Sequence, residues 1–190
     1  MQILQDKEAK LNKFVLLASA YLIYGTKFDL KNARVYFVDG ATGTGKPNKL
    51  EIRVGDGNIE FDEKKVREYN KDRGKLYDVR DGDEEPMEVN IDIIWEHIKA
   101  GSGESVTPED FLKFKNGASA YVSTDSNKCR PKCIDIWIVY DPQCATEQIE
   151  KIVLPEFRYE GLNHNAKTGM LKLSGKCNAT EATITRTAQT

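Results

Sequence analysis

The residues whose spacing most suggests chemistry are Gly40-Ala41-Thr42-Gly43-Thr44-Gly45-Lys46, which fit the G-x4-G-K core of a phosphate-binding loop. Such a loop holds phosphate with backbone N–H groups and the positive end of a helix, and takes magnesium on a hydroxyl just after the lysine. Here that position is Pro47, and the strand-like Leu50-Glu51-Ile52-Arg53-Val54 follows instead of a helix. The stretch is therefore expected to be a Gly/Thr hairpin loop over 39–48, without a nucleotide.

Four cysteines, Cys129, Cys133, Cys144 and Cys177, all lie in the last third of the chain. Their spacing lacks the paired C-x2-C knuckles of a structural zinc site, which leaves buried or free thiols, one or two disulfides, or a metal as alternatives. Cys177 alternates with Leu171 and Leu173, so its thiol is expected in the core. The acidic run at 78–96 lacks the ligand spacing of a calcium loop and is expected to be a solvated face. His97 and His164 have no serine or cysteine placed to act as a nucleophile, and Asn178-Ala179-Thr180 is a glycosylation sequon with meaning only for a secreted chain. No catalytic, cofactor or metal site is expected, and the chain is read as a non-enzyme.

These residues must be positioned by a chain of 190 residues with 39% apolar and 31% charged residues and a net charge of −2. That length suits one domain with a core, while the lean apolar content suits half-exposed strands or surfaces buried on assembly. The near-neutral charge and the lack of basic clusters argue against a protein that grips nucleic acid through phosphates. Near the N-terminus, Lys7, Lys10 and Lys13, then Phe14-Val15-Leu16-Leu17, then Ala18-Ser19-Ala20 imitate a signal peptide. The apolar run of four falls short of the roughly 7–15 residues a signal needs. Residues 1–17 are expected to be a leader that is helical, disordered or docked on a neighbouring subunit, followed by a strand at Ala20–Tyr24.

The pattern then becomes β. Val35 and Phe37, then Leu50, Ile52 and Val54, then Ile59 and Phe61 mark strands, with a tight turn at Gly55-Asp56-Gly57. Residues 62–73 fit either a helix, through Glu63/Arg67 and Lys64/Glu68 pairs, or a long charged strand. Asp78 to Pro86 reads as a solvated turn. Met87, Val89, Ile91, Ile93 and Trp95 then alternate with Glu88, Asn90, Asp92 and Glu96, a half-buried strand. Eight acids and one base lie between Asp78 and Glu96, so its wet face is expected to be strongly negative. The helix signal at 107–116 has Thr107 as N-cap, Pro108 at N1, a capping-box Asp110, and Gly117 as terminator. Further strands are expected at Ile134–Tyr140, Ile149–Leu154, Leu171–Cys177 and Ala182–Ile184. This points to a mostly β protein, a β-sandwich or barrel with one flanking α-helix.

Asp72-Arg73-Gly74-Lys75-Leu76, Val79-Arg80, Gly82-Asp83-Glu84-Glu85-Pro86-Met87 and Val89-Asn90-Ile91-Asp92 resemble the tail tube (major tail) proteins of tailed bacteriophages. Leu154 to Glu160, Gly175 to Asn178 and Thr180 to Thr183 fit the same pattern, over roughly residues 28–187. The resemblance implies an N-terminal segment at 1–27 and a tail-tube-like domain at 28–190. It implies rings, usually of six subunits, whose strands complete an inner barrel and which stack into a conduit for genome ejection. The tail of the virion, assembled in the host bacterial cytoplasm, is the implied location. Implied partners are further copies of the chain, tape measure, tail terminator and baseplate proteins, and in some tails a sheath. DNA would pass without specific binding, and no membrane is involved. Glu88, Asp92 and Glu96 become candidates to line the lumen. Gly43 and Lys46 in the loop, and Lys65, Arg67 and Tyr69 in the charged arm, become candidate inter-subunit contacts. The four cysteines could form disulfides within or between subunits after lysis. The rival expectation is a secreted, disulfide-bearing β-sandwich that binds a carbohydrate or protein ligand.

Overall fold

A computed structural model describes residues 33–55, 57–96, 98–99, 105–141 and 148–188. The expected leader, the strand at Ala20–Tyr24, His97 and Cys144 lie outside the described residues. The chain forms β1 (Ala33–Val38), β2 (Lys49–Ile52), β3 (Ile59–Asp62), β4 (Lys65–Asp72), β5 (Lys75–Glu84) and β6 (Glu88–Ile94). Short β7 (Ile98–Lys99) and β8 (Ser105–Val106) precede the helix α1 (Pro108–Lys113). β9 (Ile134–Tyr140), β10 (Gln148–Asn165), β11 (Met170–Cys177) and β12 (Thr183–Ala188) complete the chain. The protein is mostly β: among the described residues it has an antiparallel eight-stranded sheet, hairpins, and one short α-helix.

The sheet runs β2-β1-β9-β10-β11-β6-β3, with β12 also paired to β10. β2 and β3 stand at opposite ends of this order, yet Ile52 and Ile59 are only seven residues apart. Seven residues reach at most roughly 25 Å, whereas six strand spacings in a flat sheet need roughly 29 Å. The sheet must therefore curl. The connecting segment crosses onto β6, where the Ile94 N–H donates to the Arg53 carbonyl at 2.8 Å and the Asp92 N–H to the Asn58 carbonyl at 2.9 Å. No strand ladder joins β2 to β3 among the described residues, so the sheet curls without closing into a barrel.

Curling brings the apolar faces of both halves into one core. Val35 and Phe37 of β1, Val89, Ile91 and Ile93 of β6, the alternate isoleucines of β9, and Leu171 and Leu173 of β11 belong to a single buried cluster. α1 lies over it through Phe111, whose ring sits 6.1 Å from Phe37 and 4.9 Å from Tyr121. The helix starts as expected, with a capping box in which the Asp110 N–H donates to Thr107 Oγ1 and the Thr107 N–H to the Asp110 carboxylate. Its end differs: Phe114, not Gly117, takes the left-handed cap at φ 51, and a 3-10 turn covers Asn116–Ala118. Burial of the Phe114 ring against the core offsets a conformation that glycine would adopt more easily.

Residues 78–86 also depart from expectation. Asp78 to Glu84 are strand β5, paired with β4, so the charged 62–73 region is strand as well. Opposite charges face one another across this hairpin: Arg67 with Asp81 at 2.9 Å, Glu68 with Arg80, and Lys65 with Glu84 in register. Such cross-strand pairs let an acid-rich segment stay extended. The turn carries positive φ at both Arg73 (49) and Gly74 (80), as a tight type I′ hairpin requires. The expected Ile149–Leu154 strand extends to Asn165, bent by register shifts after Leu154 and after Tyr159.

One packing contact is testable here. A Cβ built on Gly175 in β11 would lie 2.2 Å from the Arg158 carbonyl oxygen and 2.7 Å from the Phe157 ring. Gly175→Ala should lower unfolding free energy by about 1–3 kcal/mol through overpacking, as read by chemical denaturation. A change below about 0.5 kcal/mol would show that the contact yields freely.

Candidate functional site

The surfaces able to act on another molecule are built from β strands and their connections. The first is the hairpin β4–β5, which forms a two-stranded sheet of its own. At about 3.3 Å per residue its longer strand reaches roughly 33 Å. It bears Tyr69 opposite Val79, with Leu76 and Tyr77 near the turn, and these four side chains are 49–81% exposed. A lone two-stranded hairpin is marginally stable in water, so an arm carrying apolar side chains gains from a surface to lie on. Lys65, Arg67 and Tyr69, proposed from sequence as contacts, all lie exposed on this arm.

Gly43 and Lys46 are also exposed, on the β1–β2 loop. That loop is a hairpin connection, as expected, and is tied down by the buried Asp39. Its carboxylate accepts from the Asn48 N–H at 2.8 Å, the Asn48 amide at 2.7 Å and the Val122 N–H at 3.1 Å. Lys46 donates to Asn48 Oδ1 rather than standing over a phosphate cradle. Sequence patterning missed Asp39 as the anchor, although an aspartate leading a glycine loop commonly binds backbone N–H groups nearby.

The second surface is the solvent face of β11-β6-β3. Glu88 and Asp92 lie on it side by side with Asn90, and Glu96 follows just beyond β6. The strongly negative face expected from sequence is not what the sheet presents. Glu88 lies 3.3 Å from Lys64 and 4.0 Å from Lys176, Asp92 lies 3.5 Å from Lys172, and Glu96 lies 3.5 Å from Arg53. Lys172 and Lys176 stand directly opposite Asp92 and Glu88 in the β6–β11 register. The charge of Glu88, Asp92 and Glu96 is thus answered by cations brought from neighbouring segments, and half of the acidic run belongs to the arm instead. The signal was present in sequence: Lys172, Ser174 and Lys176 alternate with the core positions of β11. A polar groove on this face is lined by Asn58, Glu60, Asn90, Asp92, Asn163 and Lys172.

The three described cysteines are separate from both surfaces. Cys129, Cys133 and Cys177 are free thiols, the first exposed and the others buried. Burial pushes the Cys177 thiol up to about 12. Cys133 Sγ accepts the Asp125 N–H at 3.3 Å. Asp125, Cys133 and Glu156 offer donor atoms within 4.8 Å of one another, a spacing that would suit a metal. Arg158 already fills that electrostatic role, at 2.7 Å from Asp125 and 3.5 Å from Glu156. Its guanidinium, which also donates to the Pro131 carbonyl, ties the 123–133 loop to β10. His164 meets Glu109 at 2.9 Å and the edge of the Trp95 ring, linking β10 to α1.

Compared with known protein families and with characterised proteins, the chain matches none. Among the described residues no helix is long and apolar enough to cross a membrane. The class that fold and surfaces define is a mostly β protein with a projecting hairpin arm and a mixed-charge sheet face.

Two outcomes follow. In a Cys144→Ser chain at pH 8, a thiol reagent should modify one cysteine in the native state, Cys129, and three in urea; rapid native labelling of Cys177 would contradict its burial. Replacing Glu88, Asp92 and Glu96 by Gln, Asn and Gln should leave Lys172, Lys176 and Arg53 unanswered and Lys64 with Asp62 alone. The variant should then bind duplex DNA in low salt, measured by fluorescence anisotropy, and release it as salt rises. Binding no different from the parent chain would mean that the ion pairs do not set the character of this face.

Proposed function

We propose that the protein is a structural subunit that assembles into stacked rings forming the tail tube of a tailed bacteriophage. The observation that carries this reading is the β4–β5 arm, a separate hairpin with exposed Tyr69, Leu76, Tyr77 and Val79 on a chain whose main sheet is open. An open edge is a template for pairing, and an apolar arm is a surface awaiting cover. Both are costly in a solitary molecule and useful in a polymer. The strand and turn pattern resembling tail tube proteins supports the same conclusion.

In this reading neighbouring subunits join their sheets into an inner barrel, six to a ring as in the resembled family. The β11-β6-β3 face, with Glu88, Asp92 and Glu96, turns toward the lumen. Its alternation, apolar inward to the subunit core and polar outward, is what a large barrel with a wet interior needs. Acids paired with lysines leave such a lumen hydrophilic and close to neutral, so DNA phosphates find neither a cationic grip nor a strong barrier. The arm and the 39–48 loop, with Gly43 and Lys46, reach to adjoining subunits or rings.

The full chain, purified under reducing conditions and viewed by negative-stain electron microscopy, should form rings or hollow tubes. Leu76→Ser with Tyr77→Ser should change monomer stability by no more than about 0.5 kcal/mol, because both side chains are solvent-exposed, yet abolish the tubes. Monodisperse single particles of the parent chain at high concentration, with or without oxidation, would overturn the assembly reading.

A further inference from the structure

The outward face of β1, β2, β9 and β10 carries an arrangement that the proposed function leaves unused. Trp137 stands at its centre, opposite Tyr36 on one side and Val153 on the other. Two lysines converge on its ring, Lys151 with Nζ 3.1 Å and Lys49 with Nζ 4.5 Å from the centroid. The indole Nε1–H is buried and has no hydrogen-bond acceptor among the described residues. Glu51 and Asp135 share the face, but neither lies within ion-pair distance of these lysines, and the Asp135 carboxylate accepts the Glu156 N–H at 3.0 Å. Burial and the neighbouring Lys49 charge both hold the Lys151 ammonium below its usual range. Two like charges and an unpartnered N–H therefore gather at one spot, where among the described residues the Asp135 carboxylate acts on Lys151 only from beyond ion-pair distance.

The opposite imbalance occurs at the base of the arm. Asp83, Glu84 and Glu85 are exposed and form no ion pair among the described residues, whereas Asp81 and Asp78 nearer the turn are paired with Arg67 and Arg80. Glu181 borders the same cleft, as do Lys64, already shared between Glu88 and Asp62, and Lys65, which stands opposite Glu84 in register, so the acids there outnumber the bases. The two patches occupy different parts of the molecule, one on the outer sheet face and one where the arm leaves β6, and among the described residues no ion pair joins them.

We propose that the Lys49–Trp137–Lys151 face of one copy receives the Asp83–Glu85 segment of a second copy. The inference rests on the assembly reading and supplies its contact. Two different patches meeting head to tail make a heterologous interface, which repeats around a ring or along a filament rather than stopping at a dimer. Carboxylates laid over Trp137 neutralise the lysine pair, and the lysine stems and indole cover the strand end.

The test uses the full chain under reducing conditions, with assembly followed by sedimentation velocity against concentration. Lys49→Glu with Lys151→Glu, and separately Asp83→Lys with Glu85→Lys, should each raise the assembly midpoint at least about tenfold, since each places like charges together. The milder Lys49→Gln with Lys151→Gln should raise it less, and guards against misfolding of the reversed face. Mixing the two charge-reversed chains in equal amounts should restore assembly, because each arm base then finds a face of opposite sign. Assembly of both reversed chains at the parental midpoint, or a mixture that fails to recover, would overturn this contact while leaving tubes of the parent chain intact. A parent chain that never assembles would instead overturn the assembly reading, and this contact with it.

Discussion

Phe157 is the residue on which the two halves of the sheet depend. It lies opposite Ile134 of β9 on one edge of β10 and opposite Cys177 of β11 on the other, the one residue of β10 paired to both. An eighteen-residue strand cannot stay flat while its two ends pack on opposite sides of one core, so it must bend near this point. The bend comes just before Phe157, where the ladder slips and Glu156 adopts φ 47. The Glu156 N–H, taken out of the ladder, is satisfied by the Asp135 carboxylate. Phe157 then lays its ring across Gly175, a position with no room for a side chain. The curled sheet, the single core and the placement of β6 beneath the connecting segment all follow from that turn in β10.

The same curl explains where the charges fall. Because β11 lies between β10 and β6, Lys172 and Lys176 are delivered onto the face that β6 would otherwise leave acidic. Arg53 arrives from the segment that crosses from β2, and Lys64 from the start of the arm. The three acids of the 78–96 stretch that reach the sheet face, Glu88, Asp92 and Glu96, thus each have a cation within 4.0 Å. Exposed pairs of this kind add little to stability, with a median of about 0–1 kcal/mol each. Their effect is on the field that a passing molecule meets.

Strand positions were largely legible, because period-two alternation survives in β1, β2, β6, β9 and β11 and directly reports which side chains are buried. The start of α1 was legible for a similarly local reason, since a capping box needs only Thr107, Asp110 and the residues between them. Its end was not, because Phe114 takes the left-handed cap in response to core packing that no local pattern encodes. The hairpin over 78–84 looked like a turn because its acids were counted alone, while their partners Arg67 and Lys65 sit on β4. For the candidate surfaces the limit was the same. Glu88 and Asp92 were correctly placed on the wet side of β6, but the charge of a sheet face depends on register between strands distant in sequence. Asp39 and Arg158 act through contacts 83 and 33 residues away, at Val122 and Asp125, which a reading along the chain does not reach.

A chain with 39% apolar residues that places Tyr69, Leu76, Tyr77 and Val79 on a solvent-facing arm is withholding hydrophobic area from its own core. Burial of apolar area is the main favourable term available to a folding chain, at roughly 25 cal/mol per Å². Left in water, the arm contributes little of that to the solitary subunit. The distribution becomes reasonable when the missing cover belongs to another molecule. In the proposed assembly the body packs around Phe37, Phe111 and Phe157, while the arm, the edges left open among the described residues and the charges near Trp137 and Asp83 are what a neighbour would cover. Under that proposal, a subunit so divided gains from each addition to a polymer the burial that its own core does not supply. This separation of folding from assembly is what a structure built by repeated stacking requires.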